Sequence, residues 1–198
     1  MNEGSDRTDG RTARRDRNRA AVLDSIIELI QEGHPLPTVD QISARSGVSH
    51  RSVFRYFDDL ESLFQEAVQL AYRRYGRLAA IHGFARGEFD ERVQALVDQR
   101  LTLFPAIAPL AIAGRRRIRV GDAVDSVLIT YLGPLRGQLA EHFAVELDLM
   151  GQQARDEVLD SLEVGLSLDG YDYLVRSGRT EAEIANTYRA LLRRLLTD

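Results

Sequence analysis

Apolar residues recur at intervals of three and four from residue 22 to the end of the chain. Val22, Ile26 and Ile30 form one line, with Leu23 and Ile27 beside it. Val39 and Ile42 follow, then Val53 and Phe57, then Leu60, Leu63, Phe64, Ala67 and Ala71 running on toward Tyr75 and Leu78. Phe89, Val93, Leu96, Val97 and Phe104 make the next stripe, and Val124, Val127, Leu128, Tyr131, Leu135, Leu139 and Phe143 another. Val158, Leu162, Leu166 and Tyr173, then Ile184, Tyr188, Leu191 and Leu195, close the chain. Such spacing gathers side chains on one face of a helix, so every stretch predicts an amphipathic helix that needs a neighbour. The fold class predicted is all-α.

The polar interruptions set the ends. Gly33, Pro35 and Pro37 stop the first helix. Thr38 can cap the second, with Gln41 completing a capping box, and Gly47 can end it in a left-handed turn. Ser49 is an N-cap for a short third helix. Asp58 and Glu61 suit the start of a fourth, which should run on as a long strut able to transmit a rigid rotation. Gly83 and Gly87 punctuate its end. Pro105 should stop the next helix, and the apolar stretch 105–113 reads as a short buried helix with Pro109 in its first turn. Gly133-Pro134 predicts a kink, because proline clashes with the carbonyl four residues earlier, that of Thr130. Thr180 and Glu183 make a capping box for the last helix. Residues 1–10 are polar and glycine-containing and read as a disordered tail.

Composition narrows the function. A net charge of −4 excludes a uniformly basic nucleic-acid coat, so any DNA contact must come from a local patch. Residues 11–19 are such a patch, with Arg11, Arg14, Arg15, Arg17 and Arg19 against Asp16 alone. These arginines suit either a solvated helix start or phosphate and minor-groove contacts. The chain has no cysteine, hence no disulfide, thiolate ligand or thiol nucleophile. His34, His50, His82 and His142 have no metal-ligand spacing, and no cofactor is expected. No apolar run reaches the roughly 20 residues that span a bilayer. No apolar leader opens the chain, so a cytoplasmic protein without a membrane partner is expected.

The chemistry concentrates in residues 38–57. The short third helix has an apolar inner face, Val53 and Phe57, and an outer face of Ser49, His50, Arg51, Ser52, Arg55 and Tyr56. So short a helix is not stable alone in water, so neighbours must hold it with the polar face outward. That is the pattern of a helix-turn-helix whose second helix enters the major groove. Arg51 can grip guanine O6 and N7 with a bidentate fork, worth about 1–3 kcal/mol of discrimination. Ser and Tyr hydroxyls suit phosphate oxygens. Phe54 suits either a thymine methyl or the core, His50 either a base edge or solvent, and Arg45 either a phosphate or solvent.

The first helix, the Thr-Val-x-x-Ile helix, the Gly-Val-Ser turn and the Phe-x-Tyr-Phe ending resemble the TetR family of bacterial transcriptional regulators, over roughly residues 15 to 66. The resemblance implies a dimer, an N-terminal three-helix DNA-binding domain at 11–59 and a larger C-terminal helical domain at 60–198 for effector binding and dimerisation. It implies that Thr38 caps the second helix near a phosphate, that Ser52 and Tyr56 contact the DNA backbone, and that His50, Arg51 and Phe54 lie at base edges. The candidate DNA-binding set is Arg14, Arg15, Arg17, Thr38, Arg45, Ser49, His50, Arg51, Ser52, Phe54, Arg55 and Tyr56. One departure is plain: the family commonly carries a lysine after the Tyr-Phe ending, where this chain has Asp58-Asp59-Leu60-Glu61. Phosphate anchoring then falls to the arginines before residue 20.

In the body, Arg100 lies on an apolar stripe and needs a partner, either an internal salt bridge or an anionic effector. Phe104, Thr130, Tyr131 and Phe143, with Arg100 and His142 as polar partners, are the effector-pocket candidates, although each aromatic also suits ordinary core. Arg115, Arg116 and Arg117 suit a solvated face or a second DNA contact. Val158, Leu162, Gly165, Leu166, Tyr173, Ile184, Tyr188, Leu191 and Leu195 are the expected dimer interface, pairing two helices with their symmetry mates in a four-helix bundle. The function expected is a non-enzymatic, effector-responsive repressor that binds a near-palindromic double-stranded DNA operator as a homodimer. The alternatives are a helical protein-interaction module and a helical enzyme.

Overall fold

The computed structural model describes residues 4–117 and 134–197. Among them are ten α-helices and no strand. They divide into two compact units: one takes the chain up to Arg73 and again from Pro109, the other takes Arg74–Ala108 and the chain from Pro134 onward.

In the first unit, helix α1 spans Gly4–Gln31, α2 Val39–Ser46, α3 His50–Tyr56 and α4 Leu60–Tyr75. The expected loose tail is helical from Gly4. No proline interrupts this stretch, and a helix nucleated in its buried half extends one residue at a time. The α2 caps follow the sequence expectation. Thr38 Oγ1 accepts from the Gln41 amide at 3.3 Å, and Gln41 Oε1 accepts from the Thr38 amide at 2.8 Å. Gly47 takes φ 68°, and its N–H donates to the Ser43 carbonyl. Val22, Ile26, Ile27, Ile42, Val48, Val53 and Phe57 are buried, and α1, α2 and α3 pack on one another. The α4 cap is Asp59, not Asp58. Asp59 Oδ1 accepts from the Ser62 amide at 2.7 Å while Ser62 Oγ accepts from the Asp59 amide. That reciprocal pair needs Ser62 three residues on, which sets the register one residue later.

In the second unit, α4 gives way to a 3₁₀ turn at Gly76–Ala79, so the strut is shorter than expected and Leu78 lies in the turn. Then come α5 Phe89–Arg117, whose residues from Pro109 on belong to the first unit, α6 Pro134–His142, α7 Ala144–Leu147, α8 Gln152–Gly165, α9 Leu168–Arg176 and α10 Glu181–Thr197. Helix α5 corrects the sequence reading at Pro105 and Pro109, through which it continues unbroken. An interior proline costs roughly 3 kcal/mol. Leu103, Phe104, Ile107, Ala108, Leu110 and Ala111 are buried in one phase around both prolines. Each fully buried large side chain returns about 1.5–3 kcal/mol, so the continuous stripe wins. The stretch Phe89–Ala113 is also long and apolar enough to cross a membrane. Its Val93, Leu96 and Val97 are instead packed in the protein core. The kink expected at Gly133-Pro134, with Val124, Val127, Leu128, Thr130 and Tyr131, lies outside the described residues; Pro134 opens α6, where its missing donor costs nothing.

The expected dimer stripe is the protomer's own core. Leu162, Leu166, Ile184 and Tyr188 are at most 2% exposed in the single chain. They pack with Val93, Leu96, Leu139, Phe143 and Leu147, and Val158, Leu191 and Leu195 pack against that cluster. Helices α8 and α10 meet each other within one chain. Gly165 is what lets them, since a Cβ there would stand 2.4 Å from Leu191 Cδ2. Of the expected set only Tyr173 is openly exposed.

His142, expected as a polar partner of the effector, is buried and pins the unit. The Ala85 amide donates to its Nδ1 at 2.9 Å, and its Nε2 meets the Arg92 carbonyl at 2.9 Å, the geometry of an Nε2–H donor. Arg92, itself buried, donates to the His142 carbonyl at 3.0 Å and forks onto Glu146. Burial drives the His142 pKa below its ordinary 6.5. The neutral ring is therefore the folded form. Its stabilisation is complete above pH 6.5 and is lost as the pH falls through the lowered value. The urea midpoint of the natural chain should drop between pH 7 and 5 more steeply than that of His142→Gln; parallel slopes would contradict this role.

Candidate nucleic-acid interface

Helix α3 is seven residues long and turns Val53 inward. Phe57, which ends it, is also buried. With these fixed, helical geometry sends His50, Arg51, Phe54 and Arg55 to the opposite side, where all four are exposed. Phe54 is 45% exposed, so the core reading of this ring is set aside. It stands beside the His50 ring at 5.1 Å between centroids. His50 Nε2 is 3.9 Å from Asp40 Oδ1.

Between α1 and α3 lies a notch of about 420 Å³ lined by Arg14, Arg15, Asn18, Ser52, Arg55 and Tyr56. Among the described residues no carboxylate lines it. Tyr56 is its organising group. Asn18 Nδ2 donates to the Tyr56 hydroxyl at 3.2 Å, and an Arg55 terminal nitrogen does so at 3.1 Å. With both acceptor positions used, the hydroxyl proton is left to donate outward, toward any acceptor that enters the notch. Arg55 also lies over the Tyr56 ring at 5.1 Å and reaches Ser52 Oγ at 3.4 Å. Ser49 is the N-cap of α3, as expected, but its Oγ donates to Ser52 Oγ at 3.1 Å and makes no side-chain cap bond. Two donors and nearby cations favour the phenolate, so the Tyr56 pKa lies below its ordinary value, chiefly through Asn18.

The arginines here fall into two groups. Arg19 bonds Glu66 and sits 4.9 Å over the Phe57 ring, bracing α1 against the end of α3 and against α4. Arg45 reaches Glu32 at 2.6 Å and Glu28 at 3.3 Å, so the side chain expected at a phosphate is spent on tying α2 to α1. Those carboxylates raise its pKa. Arg14, Arg15, Arg17 and Arg51 are exposed, and none forms an ion pair among the described residues. They remain available to an outside anion. Thr38 is exposed and capping. Asn18 was missed by sequence reasoning, its signal being only its helical phase beside Arg14 and Arg15. The missing lysine after Phe57 is part of a chain-wide pattern: all 26 basic residues are arginine.

Four of the effector candidates meet in pairs: Arg100 lies over the Phe104 ring at 5.6 Å, and the His142 ring stands 4.8 Å from that of Phe143. Phe104 and Phe143 are fully buried core, the first beside the Tyr171 ring and the second beside Phe89 and His142. Thr130 and Tyr131 lie outside the described residues. Arg100 borders a cavity.

No family model matches the chain, and no curated protein matches it either. The TetR resemblance therefore rests on the residues between 15 and 66 that carry it.

The Tyr56 geometry has a spectroscopic consequence. One of the seven tyrosines should ionise early in an ultraviolet titration. Asn18→Ala should move that group upward; an unchanged curve would mean that the two side chains do not bond.

Proposed function

We propose that the chain is a DNA-binding transcriptional regulator of the TetR type, a cytoplasmic repressor rather than an enzyme, acting as a homodimer under a small-molecule effector. The supporting observation is the notch: three arginines, Asn18, Ser52 and a donating Tyr56 with no carboxylate among them, on a chain of net charge −4. A cluster of cations without a carboxylate among them, on an otherwise acidic protein, attracts anions.

In this reading α2, the turn and α3 form a helix-turn-helix, and α3 enters the major groove. Arg51 reads guanine, Phe54 meets a thymine methyl and His50 lies at a base edge. Tyr56, Ser52, Arg55, Arg14, Arg15 and Arg17 hold phosphates. Two copies place two α3 helices on the halves of a near-palindromic operator. The dimer face is not the buried α8–α10 stripe. Val145, Leu149, Val164, Tyr173 and Val175 are the large apolar side chains left exposed on α7 to α9, and they are what a second copy could cover.

A gel shift against the chain's own promoter region tests this. Arg51→Ala should abolish discrimination between the operator and random DNA while weak binding persists. Replacing Arg14, Arg15 and Arg17 by Gln should weaken binding to every sequence. It should also flatten the salt dependence by up to about 0.9 in log–log slope for each phosphate that is no longer neutralised. Substitution is a cleaner test than truncation, because removal of residues 1–19 also takes away Asn18 and Arg19 and so loosens α3. Equal binding to random and operator DNA by the natural chain would contradict the proposal.

A further inference from the structure

Two buried arginines stand on α5, and only one is satisfied. Arg92 has Glu146. Arg100 is 0% exposed and, among the described residues, has no carboxylate partner. One terminal nitrogen, Nη1, donates to Gln99 Oε1 and, at 3.3 Å, to Gln138 Oε1. Gln138 is itself held by the Ala79 carbonyl at 2.7 Å, and Gln99 by the Leu78 carbonyl at 3.1 Å. Nε and Nη2 have no hydrogen-bond partner among the described residues. These two nitrogens form one edge of the guanidinium, the edge that takes a carboxylate through two parallel N–H···O bonds. The buried side chain is thus held at one end and left open along its bidentate edge. Leaving a buried charge without a counter-ion is costly, and that cost is removed when an anion arrives.

The space beside it fits one class of anion. Arg100 borders a cavity of about 90 Å³ whose walls include Leu135, Leu139, Leu166 and Leu168. A single water needs roughly 10–15 Å³ by the same measure, so the cavity admits a group several atoms long. Glu163 and Asp169 also line it and are exposed, whereas Arg100, Leu139, Leu166 and Leu168 are buried. Arg136, the other cation on the wall, is already paired with Asp160 and Glu163. The charge therefore runs from an unpaired cation at depth to carboxylates at the outer end. A second negative charge on the occupant would meet Glu163 and Asp169, and a long cation would meet Arg100.

We propose that Arg100 and this cavity form a binding site for a short aliphatic monocarboxylate, with the carboxylate on the Nε–Nη2 edge and the alkyl chain among the leucines. The site would belong to the effector of the regulator proposed above, but its test needs no DNA, so the two readings fail separately.

Thermal unfolding of the full chain with sodium butyrate, hexanoate, butylamine hydrochloride, disodium succinate or sodium chloride at equal ionic strength decides the matter. Butyrate or hexanoate at ten times its Kd should raise Tm by about 3–6 °C over chloride. Butylamine and succinate should not. Arg100→Met, which removes the charge, should unfold no earlier than the natural chain and lose the response. Arg100→Lys keeps the charge without the two-donor edge and should weaken the apparent affinity at least tenfold. Equal shifts from butyrate and chloride, or an undiminished butyrate shift in either variant, would overturn the site and make Arg100 a core residue only.

Discussion

A helix of seven residues does not hold itself together in water, and α3 is such a helix. Everything proposed for the first unit depends on what fixes it. Burial of Val53 and Phe57 does most of this, at about 1.5–3 kcal/mol for each fully buried side chain. The polar bonds around it add orientation more than stability, since exposed ion pairs are worth about 0–1 kcal/mol. Asn18 holds the Tyr56 hydroxyl, and Arg19 covers the Phe57 ring. Arg45, tied to Glu28 and Glu32, anchors the preceding helix to the same face of α1. Helix α1 is thus scaffold on its buried side and part of the notch on its exposed side.

The division among arginines follows from this. Arg19 and Arg45 are used internally, while Arg14, Arg15, Arg17 and Arg51 stay open to solvent. Sequence alone grouped Arg45 with the second set, because exposure on a short helix was legible and the carboxylates of α1 facing it were not. The caps of α2 were legible for the opposite reason. Thr38, Gln41 and Gly47 act within one or two turns, and local chemistry decides them.

The second unit was legible as helices and illegible as partners. A stripe such as Leu162, Leu166, Ile184 and Tyr188 states that an apolar face must be covered, not by which chain; here α8 and α10 cover each other, with Gly165 allowing close approach at Leu191. The proline rule at Pro105 and Pro109 failed because it weighs a local loss, whereas the buried stripe along α5 is a sum over many residues. Arg92 and Arg100 diverge in the same way within one helix. Their sequence contexts are alike, yet Glu146 and the His142 carbonyl satisfy the first, while the second borders a cavity and has two guanidinium nitrogens without a partner among the described residues. That difference in satisfaction is what favours a carboxylate ligand at Arg100.

The absence of lysine makes one measurement especially direct, because an arginine-selective reagent can read all the exposed strongly basic side chains. Modification by phenylglyoxal, mapped by mass spectrometry with and without the operator duplex, locates the surface that meets DNA. Protection is predicted at Arg14, Arg15, Arg17, Arg51 and Arg55, with Arg136, Arg155 and Arg176 modified equally in both samples. Protection of the latter three, or none at the notch, would contradict a DNA-facing role for the surface between α1 and α3.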